Sequence, residues 1–139
     1  MKLSVFSPVF GDMPLDAALK YLADRGVDGM ELGAGGYPGK AHADIIELKN
    51  NAKKRDELKA LFDKHGIEIA ALSVHGNPVH PQKNIAKTAD EELDAAIEVA
   101  PKLGVKNIIT FSGCPGDGKG DMPNWVTCAW PNEFADVLK

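Results

Sequence analysis

Short apolar runs alternate along this chain with longer segments in which apolar residues recur every three or four positions. The runs at residues 2–7, 27–32, 67–74 and 105–111 predict buried β-strands. The segments between them predict amphipathic helices, whose inward residues are Leu15, Ala18, Leu19 and Leu22, then Leu58, Leu61 and Phe62, then Leu93, Ala96, Ile97 and Ala100. Alternation of this kind indicates an α/β protein with parallel strands joined by right-handed crossovers.

A glycine follows each of these helices and directly precedes the next strand. Gly26, Gly66 and Gly104 are therefore predicted helix stops, and by subtraction they lie 40 and 38 residues apart. A further helix is predicted to begin at residues 131–134. Four βα units of this length are half of a (β/α)8 TIM barrel, which takes about 250 residues. Residues 1–139 are accordingly predicted to be the N-terminal half of one barrel domain.

Local signals set the expected element boundaries. Thr88 and Glu91 form a capping box, which predicts that the third helix begins at Thr88. Pro101 lies inside the same helical pattern, so the last turn is expected to be bent or broken, because an interior proline costs about 3 kcal/mol. Residues 33–39 are rich in glycine and are expected to form a loop, whereas residues 40–51 are ambiguous and favour at most a helical turn.

Composition narrows the class of protein. The net charge of -4 and pI near 5.5 argue against a nucleic-acid surface. No apolar run approaches the roughly 20 residues that span a membrane, and the N-terminal apolar stretch is too short for a signal peptide. Cys114 and Cys128 fit reduced thiols better than a disulfide framework. We therefore expect a cytoplasmic protein.

Polar and aromatic side chains that can take part in binding or catalysis lie where the predicted strands end. Phe6 and Ser7 end the first strand and Glu31 lies in the second; Ser73 and His75 end the third, with His80 shortly after them, and Ser112 follows the fourth. The carboxyl ends of parallel strands form the open face on which α/β barrels carry their active sites. These side chains are therefore the candidates for binding and catalysis.

The two sharpest candidates each have a functional and a structural interpretation. Glu31 either faces the barrel mouth, where it holds a substrate hydroxyl or transfers a proton, or forms an ion pair with a basic residue of a neighbouring strand. His75 is a general base, a hydroxyl binder or a metal ligand, because imidazole titrates near neutral pH, or else it is a loop histidine tied to backbone carbonyls. His80 is open to the same alternatives. His42 and His65 are interpreted as structural.

Two further patterns concern possible ligands. Glu31, His75 and His80 together suit a metal ion, but their spacing matches no strong zinc signature. Residues 113–119 fit the phosphate-loop pattern G-x-x-x-x-G-K, yet Gly120 stands where that loop needs Ser or Thr. This segment is better interpreted as a long lid, in which Trp125 and Trp130 either stack on sugar rings or pack on the barrel rim.

Three loop segments carry a family resemblance. Residues 75–81 (HGNPVHP), 110–117 (TFSGCPGD) and 123–127 (PNWVT) resemble the bacterial sugar phosphate isomerase/epimerase family. Members of that family have the xylose-isomerase-like (β/α)8 barrel. These loops are also similar to those of the large subunits of bacterial C-glycoside deglycosidases, which cleave 3-keto-glycosides with help from a small partner subunit.

The resemblance implies a set of roles. It implies that Glu31, His75 and the loop from Ser112 to Trp125 form the substrate side of the pocket. Together with the strand-end positions, this predicts Glu31 and His75 as catalytic residues and Phe6, His80, Ser112 and Trp125 as substrate-binding residues. It also implies a divalent metal (Mn, Mg or Zn), held by Glu, Asp, His and Glu of strands five to eight, beyond Lys139, with no metal ligand in this chain. The implied partners are a small carbohydrate substrate and either further copies of the chain, as a homo-oligomer, or a small partner subunit.

The leading functional prediction is a metal-assisted isomerase or epimerase that removes a proton next to the carbonyl of a sugar or sugar-derived keto compound. One alternative is a lyase that cleaves 3-keto-C-glycosides through the same proton abstraction followed by β-elimination. A second is a phosphodiesterase of the endonuclease IV type, against which the negative charge counts. A third is a non-catalytic half-barrel that associates with a partner. The 139-residue chain alone is expected to be inactive.

Overall fold

The computed structural model describes residues 1–115, in which one or two helices separate successive strands. The strands are β1 (Ser4–Phe6), β2 (Gly29–Gly36), β3 (Glu68–His75) and β4 (Ile108–Ile109). The helices are α1 (Leu15–Ala23), α2 (Ile45–Asn50), α3 (Ala52–His65) and α4 (Lys83–Leu103), and a 3-10 turn covers Ser7–Phe10. The fourth helix predicted at residues 131–134 lies outside the described residues.

The strands form one parallel sheet in the order β1-β2-β3-β4. This order confirms the predicted α/β architecture of successive βα units. Parallel neighbours in sequence order are what the first half of an α/β barrel requires. No helix within residues 1–115 is long and apolar enough to cross a membrane.

The two faces of the sheet differ in what they carry. Met30, Leu32, Leu72 and Val74 are buried in one hydrophobic core, together with the inward residues of the helices. Successive side chains of a strand point to opposite faces. Residues between these core positions, including Ser73, therefore lie on the face away from the helices. In a barrel that face is the interior.

The predicted helix stops are confirmed. Gly26, Gly66 and Gly104 have φ values of 69°, 66° and 74°, the left-handed conformation that ends a helix. The short α2 confirms the helical turn predicted in residues 40–51, and the side chain of Asp44 caps it by accepting the N–H of Ile46 at 2.9 Å.

The predicted start of the long helix at Thr88 is wrong. Helix α4 begins at Lys83, and Thr88 lies inside it, donating its hydroxyl to the carbonyl oxygen of Asn84 at 3.1 Å. Buried Ala86 and Ala89 extend the apolar face upstream of the apparent capping box, so packing overrides the local signal.

The break expected at the end of the same helix is absent, and a bend there stays a prediction. The helix continues through Pro101 to Leu103 without a break. Proline removes only the one hydrogen bond that its N–H would have made, and the N–H of Val105 bonds to the carbonyl of Ala100 at 2.8 Å to close the helix end. The prediction that Ile97 faces inward is wrong, because 56% of it is exposed.

The glycine-rich loop predicted after the second strand is also wrong at its beginning. Strand β2 runs on to Gly36, and its last residues pair with Ser73, Val74 and His75 of β3. Glycine is needed at Gly35 because α4 approaches the strand closely: a Cβ on Gly35 would lie 2.8 Å from Oε2 of Glu92.

Candidate functional site

The first group of candidates lies where the strands end. The ring of His75, the last residue of β3, stands 5.9 Å from that of Phe6 and 4.6 Å from that of Phe111, measured between centroids. The sheet therefore brings Phe6 and His75 together, as predicted for the barrel mouth, and adds Phe111 as a second aromatic neighbour. Two flanking rings restrict the orientation of the imidazole.

Glu31 lies on the same face of the neighbouring strand. Its carboxylate accepts a hydrogen bond from the hydroxyl of Ser73, which is fully buried. Glu31 has no ion pair within residues 1–115, so its partner there is this hydroxyl and not a basic residue. A carboxylate has about four acceptor positions, and one hydrogen bond leaves capacity for a ligand hydroxyl.

The imidazole of His75 is half-buried and forms no hydrogen bond with another described residue, which leaves the alternative of a histidine tied to backbone carbonyls without support in that part of the chain. The backbone is nevertheless well fixed, since the carbonyl oxygen of His75 accepts the N–H of Tyr37 at 3.0 Å. A restrained main chain with an uncommitted imidazole is a suitable arrangement for proton transfer.

The remaining substrate-binding candidates are spread more widely. His80 is only 9% exposed, and its Nδ1 accepts the backbone N–H of Gln82 at 3.0 Å, so its remaining donor is Nε2. Ser112 is exposed after β4. Trp125, like Trp130, lies outside the described residues. The binding roles of His80, Ser112 and Trp125 therefore stay predictions.

The other two histidines pair within the scaffold. Nε2 of His42 lies 2.9 Å from the carbonyl oxygen of Met13, and Nε2 of His65 lies 2.7 Å from Oδ1 of Asp16. The side chain of His65 is only 11% exposed, although His65 is the last residue of α3. Both contacts agree with the structural interpretation.

Sequence reasoning missed Glu92. This carboxylate is 5% exposed on α4, where Oε2 accepts the N–H of Gly36 at 2.7 Å and Oε1 lies 3.1 Å from Nζ of Lys40. A signal was present, because Glu92 stands three residues after Ala89 and four before Ala96, on the apolar face of the helix.

Asn77 is a second missed residue. Its side-chain amide donates to the carbonyl oxygen of Cys114 at 2.8 Å, and its amide oxygen accepts the Cys114 N–H at 2.9 Å. This reciprocal pair joins the loop after β3 to the loop after β4. Asn77 therefore fixes the chain next to Phe111, whose ring contacts His75.

An open cleft of ≈ 350 Å³ adjoins these strand ends. It lies between the ends of β2 and β3 and the first half of α4, and its lining includes Tyr37, His75, Asn77, Ile85 and Glu92. A volume of this size is within the range of small-molecule sites. The residues around His75 thus border space that a small molecule can enter.

The described residues do not assemble a metal-binding cluster. Within residues 1–115, no three His, Cys, Asp or Glu side chains lie close enough together to hold a metal ion. Glu31, His75 and His80 are therefore not gathered as the ligand set that their residue types allow.

Comparison with known proteins identifies the class. Residues 19–137 match the family model described as Xylose isomerase-like TIM barrel. The chain belongs to this family, and the match confirms the resemblance seen in its loops and the predicted barrel class.

Individual relatives agree with this assignment. The chain is 34% identical over 141 residues to the "Uncharacterized protein YfiH" of Bacillus subtilis (strain 168); the match covers 99% of the chain and 45% of YfiH. The chain thus spans about half the length of this curated relative.

Two solved structures share the fold. The 3-keto-D-glucoside 4-epimerase YcjR of E. coli matches with a TM-score of 0.55 at 19% identity, over 78% of this chain and 36% of YcjR. The Bacillus anthracis "probable 3-DHS dehydratase AsbF involved in the petrobactin synthesis" matches with a TM-score of 0.56 at 21% identity, over 86% of this chain and 41% of AsbF.

Proposed function

We propose that the barrel to which these residues belong is a metal-assisted isomerase or epimerase of a sugar or sugar-derived keto compound. The observation that carries this proposal is the half-buried His75 ring. It lies between Phe6 and Phe111, at the end of the strand whose Ser73 holds Glu31. A base and a hydroxyl acceptor on one barrel-interior face are what proton abstraction next to a carbonyl requires.

His75 acts in its neutral form. A ring nitrogen takes the proton from the carbon beside the carbonyl, and the electron pair of the broken C–H bond forms the enediolate. Delivery of a solvent-derived proton to the other face of that carbon gives an epimer. Protonation of the former carbonyl carbon, with the hydroxyl proton of the first carbon passing to the former carbonyl oxygen, gives an isomer. Imidazole suits both directions because its unperturbed pKa of about 6.5 lies close to neutral pH.

Glu31 orients the substrate. Its carboxylate accepts a hydrogen bond from a sugar hydroxyl while Ser73 keeps the carboxylate in place. Phe6 and Phe111 offer apolar surface to the C–H faces of a sugar ring and restrain the imidazole between them.

The divalent metal remains part of the proposal only for the complete barrel. Residues 1–115 provide no ligand cluster for it, and the family resemblance assigns the ligands to strands beyond Lys139. A metal bound there would stabilise the negative charge of an enediolate. Each of the steps above depends on residues of this chain.

The named activities of the structural neighbours support the chemistry in outline. YcjR is named as an epimerase of a keto-glucoside, and AsbF is named as a probable dehydratase. Epimerisation at a carbon next to a carbonyl begins with removal of a proton. The lyase alternative shares this first step and then eliminates the β-substituent. The acidic net charge of -4 favours either of these chemistries over an endonuclease.

An assay on two substrates tests the proposal. The full-length protein is incubated with manganese and either a keto-sugar or a 3-keto-C-glycoside, and products are followed by NMR. We expect the keto-sugar to be converted to its epimer or isomer. Release of the aglycone from the glycoside, with the keto-sugar unchanged, would instead establish the lyase. Turnover of neither compound would contradict both.

A further inference from the structure

Glu92 is a buried carboxylate for which the proposed reaction has no use. It lies on α4, which packs behind the sheet, and it is 5% exposed. Burial of a carboxylate is expensive unless charge and hydrogen bonds compensate it. The contacts that compensate Glu92 therefore indicate what it holds.

The main contact is with the end of β2. Oε2 of Glu92 accepts the N–H of Gly36 at 2.7 Å, and the neighbouring Gly35 leaves just enough room, because a Cβ there would lie 2.8 Å from this oxygen. The carboxylate is thus fitted against the last two residues of the strand and takes up the N–H of Gly36.

The contact continues from Gly36 to His75. These two residues are direct partners in the β2–β3 pairing, and the next N–H, that of Tyr37, donates to the carbonyl oxygen of His75 at 3.0 Å. On the other side of His75, Gly76 packs so tightly on Ala89 that an added Cβ would lie 2.6 Å from the Ala89 Cβ. One face of α4 therefore contacts both flanks of the His75 backbone.

Lys40 supplies the balancing charge. Its Nζ lies 3.1 Å from Glu92 and 3.3 Å from Asp44, the residue that caps α2. Partial burial works against the ammonium, but hydrogen bonds to Glu92 and Asp44 outweigh it, so the pKa of Lys40 is raised. Lys40 is more exposed than Glu92 and has a second partner. The hydrogen bond to Gly36 is therefore the contact that ties Glu92 to the site.

We propose that Glu92 is a positioning residue, which sets the place of the His75 imidazole through Gly36 and Tyr37. This inference rests on the proposed role of His75. It adds a residue that lies on a helix outside the strand ends and that determines how accurately His75 is aimed. A displacement of about 1 Å at a reacting group can cost roughly 100-fold in rate.

Two variants at this position separate the hydrogen bond from the charge. Glu92→Met keeps similar volume but removes the acceptor for Gly36, whereas Glu92→Gln keeps an acceptor oxygen and removes the charge. The matched control is Glu91→Met, since Glu91 is an exposed residue of the same helix that pairs with Lys87 at 3.6 Å. All are made in the full-length protein.

The experiment measures the steady-state kinetics per folded molecule and the NMR resonances of two groups at the site. We expect Glu92→Met to lower kcat by about 10- to 100-fold with KM changed less than about threefold, and to shift the NMR resonances of the Tyr37 amide and the His75 ring. Glu92→Gln should restore kcat to within about threefold of the unmodified protein and restore both resonances, and Glu91→Met should change nothing.

The opposite results overturn the inference. A folded Glu92→Met protein with unchanged kcat and unshifted His75 resonances would show that Glu92 serves the scaffold alone. If Glu92→Gln lowers kcat and shifts the His75 ring resonances as much as Glu92→Met is expected to, the effect comes from the charge of Glu92 and not from its hydrogen bond to Gly36. The same measurement on Glu92→Gln decides the matter if Glu92→Met fails to fold. The resonances need no turnover, so a protein that is inactive on keto-sugars refutes the proposed function separately.

Discussion

The side chains of Lys64 and His65 in α3 both contact the carboxylate of Asp16 in α1. Oδ1 of Asp16 lies 2.7 Å from Nε2 of His65 and 2.7 Å from Nζ of Lys64. The hydrogen bond from His65, followed by that from Lys64, holds the pKa of Asp16 below its ordinary value of 3.8. Because the folded protein favours the charged carboxylate, Asp16 stabilises the fold above its ordinary pKa, and the contribution is lost as pH falls through the lowered pKa.

Asp16→Asn should therefore reduce the melting temperature near neutral pH and make little difference in strong acid. Thermal unfolding of both proteins in a pH series from about pH 6 down into strong acid measures this, since the difference should shrink as pH falls below 3.8 and through the lowered pKa. Asp56→Asn is the control, because Asp56 is exposed on α3 and forms no ion pair within residues 1–115. An Asp16→Asn difference that stays equally large across the whole pH series would contradict the assignment.

For single residues, the sequence predicts which residue types lie at the site and where in the chain they stand. It predicts less well which side chains contact one another. The position of His75 after an apolar strand followed from alternation and a Gly-Asn-Pro break. The pairing of Glu31 with Ser73 did not, because strand register depends on contacts between segments 42 residues apart. The importance of Phe111 was missed for the same reason: nothing local to it indicates that its ring meets His75.

Among the elements, β2 and β3 pair irregularly, with register shifts at Met30/Glu31 and Gly33/Gly35. Gly36 ends it at φ 63°, and a Cβ there would lie 2.4 Å from the carbonyl oxygen of His75. Gly39 also has a positive φ, of 75°, but nothing lies within 4 Å of its Cβ position. Both glycines thus have a left-handed backbone conformation, but only Gly36 has other atoms close to its Cβ position.

Gly36→Ala should destabilise the protein more than Gly39→Ala. Both substitutions place alanine in the left-handed region, which costs about 1–2 kcal/mol, but only Gly36→Ala adds a clash with the backbone of β3. Urea unfolding of the two variants gives the comparison. Equal losses of unfolding free energy would show that the strand end yields freely and that the close approach of β2 and β3 is not a constraint.

Helix ends and starts differ in how far sequence predicts them. The stops at Gly26, Gly66 and Gly104 are local, because the left-handed conformation is a property of glycine itself. The start of α4 is not local: its N-cap residue, Gln82, makes no side-chain capping bond. Buried alanines set that boundary through packing, which no capping pattern reveals.

In the molecule as a whole, the described residues form an open sheet. Strands β1 and β4 each pair on one side only within residues 1–115, and unpaired parallel edges favour association with further strands. Since the chain matches 45% of YfiH, the activity of a complete barrel remains a proposal. A homo-oligomer or a complex with a small partner subunit likewise remains a prediction, as do the domain limits of 1–139 and a cytoplasmic location.

Exchange of substrate hydrogen with solvent tests the central claim most directly. The full-length protein is incubated in D2O with the keto-sugar that it converts, and NMR follows deuterium at the carbon next to the carbonyl. We expect incorporation there, reduced about 10²- to 10⁴-fold in His75→Ala, because that variant lacks the base. His65→Ala, which breaks the Asp16 contact, should lower stability but leave exchange per folded molecule unchanged. Exchange at the normal rate in folded His75→Ala would contradict the assignment of His75 as the base.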